Sequence, residues 1–165
     1  MNVCKKIISR FTFVIVLLIP FVIRAAADGP YDPNANANTD IQAALGQSAN
    51  DGKFVLLIFG ANWCTDCRVL AEQFDQDPLK SLIDVNFNIA KIDIGDEYEK
   101  NRDLQVYYNN ATERGIPTIV VLDQDNNILF GTLTGELASA RSMGSQELYN
   151  FFEKVVRDAN RINKQ

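Results

Sequence analysis

The feature that most constrains this chain is an unbroken apolar run followed closely by two cysteines. Every residue from 54 to 59 is apolar, and the motif Trp-Cys-Thr-Asp-Cys occupies positions 63–67. An apolar run of this length predicts a strand that is buried on both faces in the middle of a sheet. The residues after the motif carry a helical pattern, so we expect the cysteines in the first turns of a helix.

The two cysteines of the motif are the candidate reactive groups. The unpaired N–H groups at a helix start carry partial positive charge, which favours a thiolate and lowers the pKa of a cysteine there. This predicts that Cys64 is the nucleophile. Cys67 lies one turn further into the helix, within reach of a mixed disulfide on Cys64, and is the expected resolving thiol.

A metal site and a purely structural disulfide are the alternatives for this pair. The chain has three cysteines and no histidine, whereas a zinc site needs four ligands, usually cysteine and histidine at paired spacings. A structural disulfide stabilises most when it closes a long loop, and this one would close a very short loop. We therefore favour a redox-active pair that needs no metal and no organic cofactor.

The N-terminus has the pattern of a secretory signal peptide. Basic residues at positions 5, 6 and 10 precede thirteen nearly all apolar residues at 11–23, and three alanines follow at 25–27. We expect cleavage after Ala27, which would also remove Cys4. An uncleaved membrane anchor is less favoured, because about 20 apolar residues are needed to span a bilayer. Export, with a bacterial periplasm as the best fit, would place the thiol pair in an oxidising compartment.

The charge of the chain argues against two classes of partner. The net charge is −5, and residues 1–27 contain four basic side chains and no acidic one, so the remaining chain carries −9. Nucleic acid and anionic membrane surfaces are bound through basic faces. We therefore expect no nucleic-acid partner, and contact with a membrane only through the transient signal peptide.

The rest of the chain predicts one domain with alternating helices and strands. Residues 28–38 are rich in Pro, Asn, Asp and Gly and are expected to form a flexible leader, and residues 161–165 a C-terminal tail. The predicted helices are one capped by Thr39, the helix that follows the cysteine motif, a polar helix over 96–110 and an amphipathic helix around 148–156. The helix after the motif is interrupted at Asp77–Pro78 and is therefore either bent or divided. The other predicted strands are one over 86–94 and a hairpin of strands over 118–122 and 128–133.

This order of elements resembles the thioredoxin family. The resemblance rests on the motif at 63–67 between the first central strand and its helix, and on Ile-Pro-Thr at 116–118 just before the hairpin. It covers about residues 39–160 and implies an α/β fold, a three-layer α/β/α sandwich around a mixed sheet of about four strands. It also implies thiol:disulfide oxidoreductase activity on protein thiols and disulfides, with an electron donor that the sequence does not identify.

The resemblance assigns roles to three more residues. Pro117 would follow a cis peptide bond beside the disulfide, and the backbone of Ile116 would pair with an extended substrate segment. Trp63 would form a hydrophobic wall of the substrate groove. The alternative for Pro117 is that it only begins an edge strand, where a missing N–H is tolerated.

Three positions concern the proton chemistry of the pair. Thioredoxins carry a buried acid where this chain has Ile58, so the usual base for the resolving thiol is missing, although Lys91 matches the family's lysine on the next strand. Asp66 lies between the cysteines, where its charge would raise the thiol pKa values or its carboxylate would accept the Cys67 proton. The alternative is that Asp66 is a solvated first-turn acid that stabilises the helix N-terminus.

The sequence therefore predicts an exported protein that reduces or isomerises protein disulfides through Cys64 and Cys67. A disulfide oxidant of the same fold is less favoured, because the residues between the cysteines offer no positive charge to stabilise a thiolate. A binding or chaperone module without turnover is the alternative of a different class. A copper-handling role is disfavoured by the absence of histidine.

Overall fold

The computed structural model describes residues 29–164, so the predicted signal peptide lies outside the described part of the chain. The helices are α1 (Ala37–Asp51), α2 (Thr65–Phe74), α3 (Leu79–Asn86), α4 (Arg102–Tyr107), a short 3₁₀ helix (Ala140–Ser142) and α5 (Ser145–Ile162). The strands are β1 (Phe54–Gly60), β2 (Phe87–Asp93), β3 (Thr118–Leu122) and β4 (Ile128–Gly131). Among these residues, no helix is both long enough and apolar enough to cross a membrane.

The four strands form one mixed sheet in the order β2-β1-β3-β4. Strand β1 is parallel to β2 and antiparallel to β3, and β3 continues into β4 as an antiparallel hairpin. All seven residues of β1 are buried, as expected of an apolar strand with neighbours on both sides and helices above and below. The predicted central strand and the predicted four-stranded mixed sheet are confirmed.

Helices cover the sheet and complete a three-layer α/β/α sandwich. Helices α2, α3 and α5 pack together, and the Phe74 and Phe152 rings meet edge to face with centroids 5.0 Å apart. Helix α1 packs on β1 and β2, and the Tyr108 ring at the end of α4 lies against Phe59 of β1. The fold class predicted from the sequence is therefore confirmed.

The helix after the cysteine motif is divided rather than bent. Helix α2 ends at Phe74 and α3 starts at Leu79, with a cis peptide bond between Asp77 and Pro78. Proline has no N–H to continue a helix, and its ring clashes with the preceding turn. At the end of the chain, α5 continues to Ile162, so the predicted tail at 161–165 begins later than expected.

The flexible leader predicted for residues 28–38 is wrong for the part that starts at Tyr31. The Tyr31 side chain is only 2 % exposed. Its backbone N–H donates to Asn62 Oδ1 (2.9 Å), and Asn62 Nδ2 donates to the Tyr31 carbonyl (2.7 Å). One aromatic ring buries a large apolar area, and two hydrogen bonds fix the backbone beside it, so a polar stretch becomes part of the domain.

Two helix predictions also need correction. Helix α1 is capped by Asn36, whose side chain accepts from the Thr39 N–H, so the cap lies three residues before the predicted Thr39. The helix predicted over 96–110 is confined to Arg102–Tyr107. Positive φ angles at Tyr98, Asn101 and Asn109 place the flanking backbone in the left-handed region, which a right-handed helix does not contain.

Candidate active site

The two cysteines lie where the central strand gives way to α2. Cys64 is the N-cap of α2 and has an extended backbone, and the Cys67 N–H donates to Cys64 Sγ at 3.1 Å. The two residues are joined by a disulfide, with their Cα atoms 5.3 Å apart. Both side chains are buried, and the helix N-terminus points its unpaired N–H groups at the Cys64 sulfur, where a thiolate would be stabilised.

The turn before β3 faces the disulfide from the other side. The Ile116 carbonyl oxygen lies 3.7 Å from Cys64 Sγ, and the peptide bond between Ile116 and Pro117 is cis. Gly115 has a φ of 106°, which favours glycine, and its carbonyl accepts a hydrogen bond from Thr118 Oγ1 at 2.7 Å. This turn therefore presents the backbone of Ile116 to the reactive sulfur.

Trp63 forms an exposed aromatic surface beside the disulfide. Its side chain is 49 % exposed, although its ring N–H donates to the Gly95 carbonyl at 2.9 Å. The Tyr98 ring packs against it, with centroids 5.9 Å apart. The indole is therefore fixed at one edge while the rest of the ring remains available to a bound chain.

Asp66 is turned toward a partner that the sequence did not indicate. The residue is 7 % exposed. Its Oδ1 accepts a hydrogen bond from the Arg141 backbone N–H at 2.9 Å, and its Oδ2 lies 3.7 Å from the Arg141 guanidinium. Asp66 is a first-turn acid of α2, as one interpretation had it, but it is not solvated, because its carboxylate ties α2 to the 3₁₀ helix. An influence of Asp66 on the thiols stays a prediction.

Lys91 occupies an exposed position on the edge strand. It lies opposite Ile58 in the register of β1 and β2, and its side chain is exposed. It borders a surface hollow together with residues of the N-terminal segment and α1, such as Pro30, Asp40 and Ala43. A role for Lys91 in tuning the thiols stays a prediction.

Asp93 is an acidic residue of this region that sequence reasoning missed. It is the register partner of Gly60, the last residue of β1, and its side chain is 13 % exposed. Lys100 Nζ lies 2.9 Å from its carboxylate, and this pairing raises the pKa of Lys100. The position of Asp93 beside Gly60 follows from the register of β1 and β2, which a single sequence does not give.

Tyr31 is the second missed residue, and it lies against Gly60, as the resolving cysteine does. A methyl group added to Gly60 would collide with the Tyr31 hydroxyl and lie 2.9 Å from Cys67 Sγ. Burial raises the pKa of the Tyr31 phenol, and the Asp93 carboxylate raises it further. Both effects favour the neutral phenol. Tyr31, Asp93 and Cys67 therefore surround the same glycine.

The arrangement can perform thiol–disulfide exchange. It holds a dithiol pair at a helix N-terminus, a backbone carbonyl opposite the first sulfur, and an exposed aromatic ring alongside. Within residues 29–164, no group of three or more His, Cys, Asp or Glu side chains is placed to hold a metal ion.

Comparison with known proteins places this architecture in a family. The thioredoxin-like family model matches residues 36–124, more than half of the chain. Thioredoxin-like proteins of chloroplasts are similar: CITRX of Arabidopsis thaliana is 36 % identical over 76 residues (46 % of this chain, 37 % of that protein), and CITRX2 of Nicotiana benthamiana is 34 % identical over 73 residues (44 % and 35 %). The chain thus spans little more than a third of the length of these curated relatives.

Solved structures match a larger share of this chain. A disulphide isomerase from Xylella fastidiosa Temecula1 is 40 % identical, with a TM-score of 0.75 over 79 % of this chain and 98 % of that one. The C-terminal domain of DsbD from Neisseria meningitidis, in its oxidised form, is 20 % identical with a TM-score of 0.54 over 73 % and 96 %, and shows the same fold. The chain therefore belongs to the thioredoxin-like family, and it has the disulfide-oxidoreductase fold with a Cys64–Cys67 pair.

Proposed function

We propose that this protein is an exported thiol:disulfide oxidoreductase that reduces or isomerises protein disulfides. The observation that carries the proposal is the position of the pair at the start of α2. The Cys64 sulfur accepts a hydrogen bond from the Cys67 N–H and faces the Ile116 carbonyl. A thiolate formed on Cys64 is stabilised there by the helix N-terminus. The substrate comes within reach of the same sulfur along the turn that contains Pro117.

The reaction follows from the order of the two thiols. The Cys64 thiolate attacks one sulfur of a substrate disulfide, the substrate S–S bond breaks, and the leaving thiolate takes up a proton from water. Cys67 loses its proton to water and its thiolate attacks Cys64 Sγ, so the bond between Cys64 and the substrate breaks. The second substrate sulfur leaves as a thiolate that takes up a proton from water, and the Cys64–Cys67 disulfide remains. One substrate disulfide is reduced and the protein dithiol is oxidised, so a reductant of unidentified nature must restore the dithiol.

The surroundings of the pair support a protein substrate. The exposed indole of Trp63 and the backbone of Ile116 flank the sulfurs, which suits an extended chain that presents a disulfide. The similar protein from Xylella fastidiosa is described as a disulphide isomerase, which favours isomerisation as well as reduction. We propose no nucleic-acid partner, because the chain is acidic.

Export to an oxidising compartment, most simply a bacterial periplasm, is part of this proposal. It is supported by the basic, apolar and small-residue pattern at positions 5–27. Fractionation of cells that express the chain, together with N-terminal sequencing, measures this directly. The expected mature N-terminus is Asp28.

Trapping is the experiment that tests turnover. A Cys67→Ser variant cannot resolve the mixed disulfide, so it should hold substrate proteins covalently on Cys64, and a reductant should release them. The matched control is a Cys64→Ser variant, which keeps one thiol of the pair but lacks the nucleophile. Equal recovery with both variants, or none with either, contradicts the proposal and favours a binding module without turnover.

The direction of the reaction is decided by the reduction potential of the Cys64–Cys67 pair. Equilibration with glutathione should give a value near that of thioredoxin, about −270 mV, for a reductase. A value near about −120 mV would identify a disulfide oxidant instead. An intermediate value near about −180 mV, as in protein disulfide isomerase, would favour isomerisation.

A further inference from the structure

Tyr31 is an unexpected neighbour for the resolving cysteine. It belongs to a segment that precedes α1, more than thirty positions before the cysteine motif, yet its ring is buried and its hydroxyl lies against Gly60. Cys67 Sγ lies against the same glycine. A phenol and the resolving thiol therefore flank the same glycine, two residues after Ile58, the position at which the resembling family carries an acid.

The position of Tyr31 is fixed by its backbone. Asn62, immediately before the cysteine motif, exchanges two hydrogen bonds with the Tyr31 main chain, at 2.9 and 2.7 Å. From the other side, Lys100 Nζ reaches both the Pro33 carbonyl (3.2 Å) and the Asp93 carboxylate (2.9 Å). The segment is held at both ends, so the hydroxyl is fixed against Gly60, which Cys67 Sγ also flanks.

Burial, together with a nearby negative charge, keeps the phenol neutral. Asp93 is the acidic group that acts on Tyr31, and Lys100 is paired with Asp93. Gly60 leaves the space that the hydroxyl occupies, because it has no Cβ. A neutral phenol in this space can donate a hydrogen bond, and hydrogen bonds to a charged acceptor are stronger than those between neutral groups.

We propose that Tyr31 is a positioning residue that donates a hydrogen bond from its hydroxyl to the Cys67 sulfur in the reduced protein. Donation to sulfur stabilises the thiolate over the thiol, so Cys67 is ready to attack the mixed disulfide on Cys64. The Cys67 proton passes to water, the sulfur lone pair forms the Cys67–Cys64 bond, and the substrate leaves as a thiolate. Tyr31 itself neither gains nor loses a proton.

The catalytic consequence of this role rests on the proposed function, but the role is measured without turnover. In a Cys4→Ser, Cys64→Ser background Cys67 is the only remaining thiol, because the chain has three cysteines. Its alkylation by iodoacetamide is followed between about pH 6 and 10, with and without Tyr31→Phe. A hydrogen bond to a charged group corresponds to about a tenfold change in thiolate population or more. Tyr31→Phe should therefore slow alkylation at about pH 7 roughly tenfold and move the pH midpoint upward.

The matched control is Tyr108→Phe, which removes the hydroxyl of another buried tyrosine. That hydroxyl donates to Asn126 Oδ1 (3.0 Å) in the β3–β4 turn, at the other end of the sheet from the cysteines. The control should leave the alkylation profile unchanged. Alkylation in urea should be equal in all variants, since the native contacts are absent there.

A second variant tests the same proposal if Tyr31→Phe folds poorly. Asn62→Ala retains the phenol but removes both side-chain hydrogen bonds to the Tyr31 backbone, and it should slow alkylation in the same direction. Unchanged or faster alkylation in folded Tyr31→Phe, or in Asn62→Ala if only that variant folds, overturns the proposal. If the Cys67→Ser variant fails to trap substrates but Tyr31→Phe still slows alkylation, the proposed function fails and the positioning role stands.

Discussion

The carboxylate of Asp66 is bound by the backbone of Arg141, 75 residues further along the chain, with Oδ1 accepting the Arg141 N–H at 2.9 Å. Asp66 lies between the two reactive cysteines in sequence, yet its oxygens point toward the 3₁₀ helix. The contact fixes α2, which carries the cysteines, to the loop before α5. A residue between the two thiols in sequence is thus also a structural tie.

The first prediction is that Asp66→Ala destabilises the fold. Removing the carboxylate leaves the Arg141 N–H, which is part-buried, without its charged acceptor, and hydrogen bonds to charged groups contribute about 1.5–3 kcal/mol. Urea unfolding should show a loss of that size. Asp40→Ala is the control, because Asp40 is the first-turn acid of α1 and its removal should cost only the helix-dipole effect, about 0.3–1 kcal/mol.

The same residue allows a separate test of the thiols. The tuning role predicted for Asp66 is tested on the reduced protein: the thiolate titration of Asp66→Asn, followed by ultraviolet absorbance, should differ in midpoint from that of wild type for at least one cysteine. Identical titrations would show that the carboxylate, which is bound by Arg141, acts only as a structural tie.

Gly60 offers a prediction about packing beneath the disulfide. A Cβ there would collide with the Tyr31 hydroxyl and lie 2.9 Å from Cys67 Sγ, so Gly60→Ala should destabilise by about 1–3 kcal/mol through overpacking. Gly46→Ala is the matched control, because Gly46 lies in α1 with nothing within 4 Å of an added Cβ. Thermal unfolding should show the control stabilised by up to about 1 kcal/mol. Equal effects at both sites would contradict this account of the packing.

The features that could be predicted from sequence are those that depend on neighbouring residues. The apolar run at 54–59 implied a central strand, and the spacing of Cys64 and Cys67 implied one turn of helix between them. The position of Tyr31 could not be predicted, because it depends on the space above Gly60 and on Asn62. The same holds for Asp93, whose place beside Gly60 follows from the register of two strands separated by two helices.

The buried phenol predicts a particular dependence of stability on pH. The pKa of Tyr31 is raised in the folded protein, so its contribution is complete below about pH 10, the unfolded value, and is lost as the pH rises above it. In that range the unfolded chain releases a proton that the folded chain keeps, so the free energy of unfolding falls by up to about 1.4 kcal/mol per pH unit from this group. Tyr31→Phe should therefore lose stability less steeply than wild type between about pH 10 and 11.

Urea titrations of the two proteins at a series of alkaline pH values give the difference directly. Lysines and the other tyrosines titrate in both proteins, so their contributions cancel in the comparison. If the free energy of unfolding falls with pH equally steeply in wild type and Tyr31→Phe, the phenol ionises as readily in the folded protein as in the unfolded chain. That result would contradict the effect of burial described above.

Trp63 carries the last prediction, which concerns the kind of substrate. The indole is 49 % exposed and is anchored by its N–H to the Gly95 carbonyl, so it offers apolar area to a chain lying beside the disulfide. Trp63→Ala should lower kcat/KM for a protein disulfide such as insulin by about tenfold or more, since a buried aromatic contact contributes about 1.5–3 kcal/mol. A small disulfide that does not reach the indole should be reduced at nearly the wild-type rate.

Trp63→Phe separates the two contributions of the side chain. It keeps an aromatic surface but loses the N–H that donates to Gly95, so it should retain most of the activity on insulin if contact area is what matters. An equal loss on both substrates in Trp63→Ala would show instead that the indole supports the geometry of the cysteines, because a distorted thiol pair reacts slowly with every disulfide.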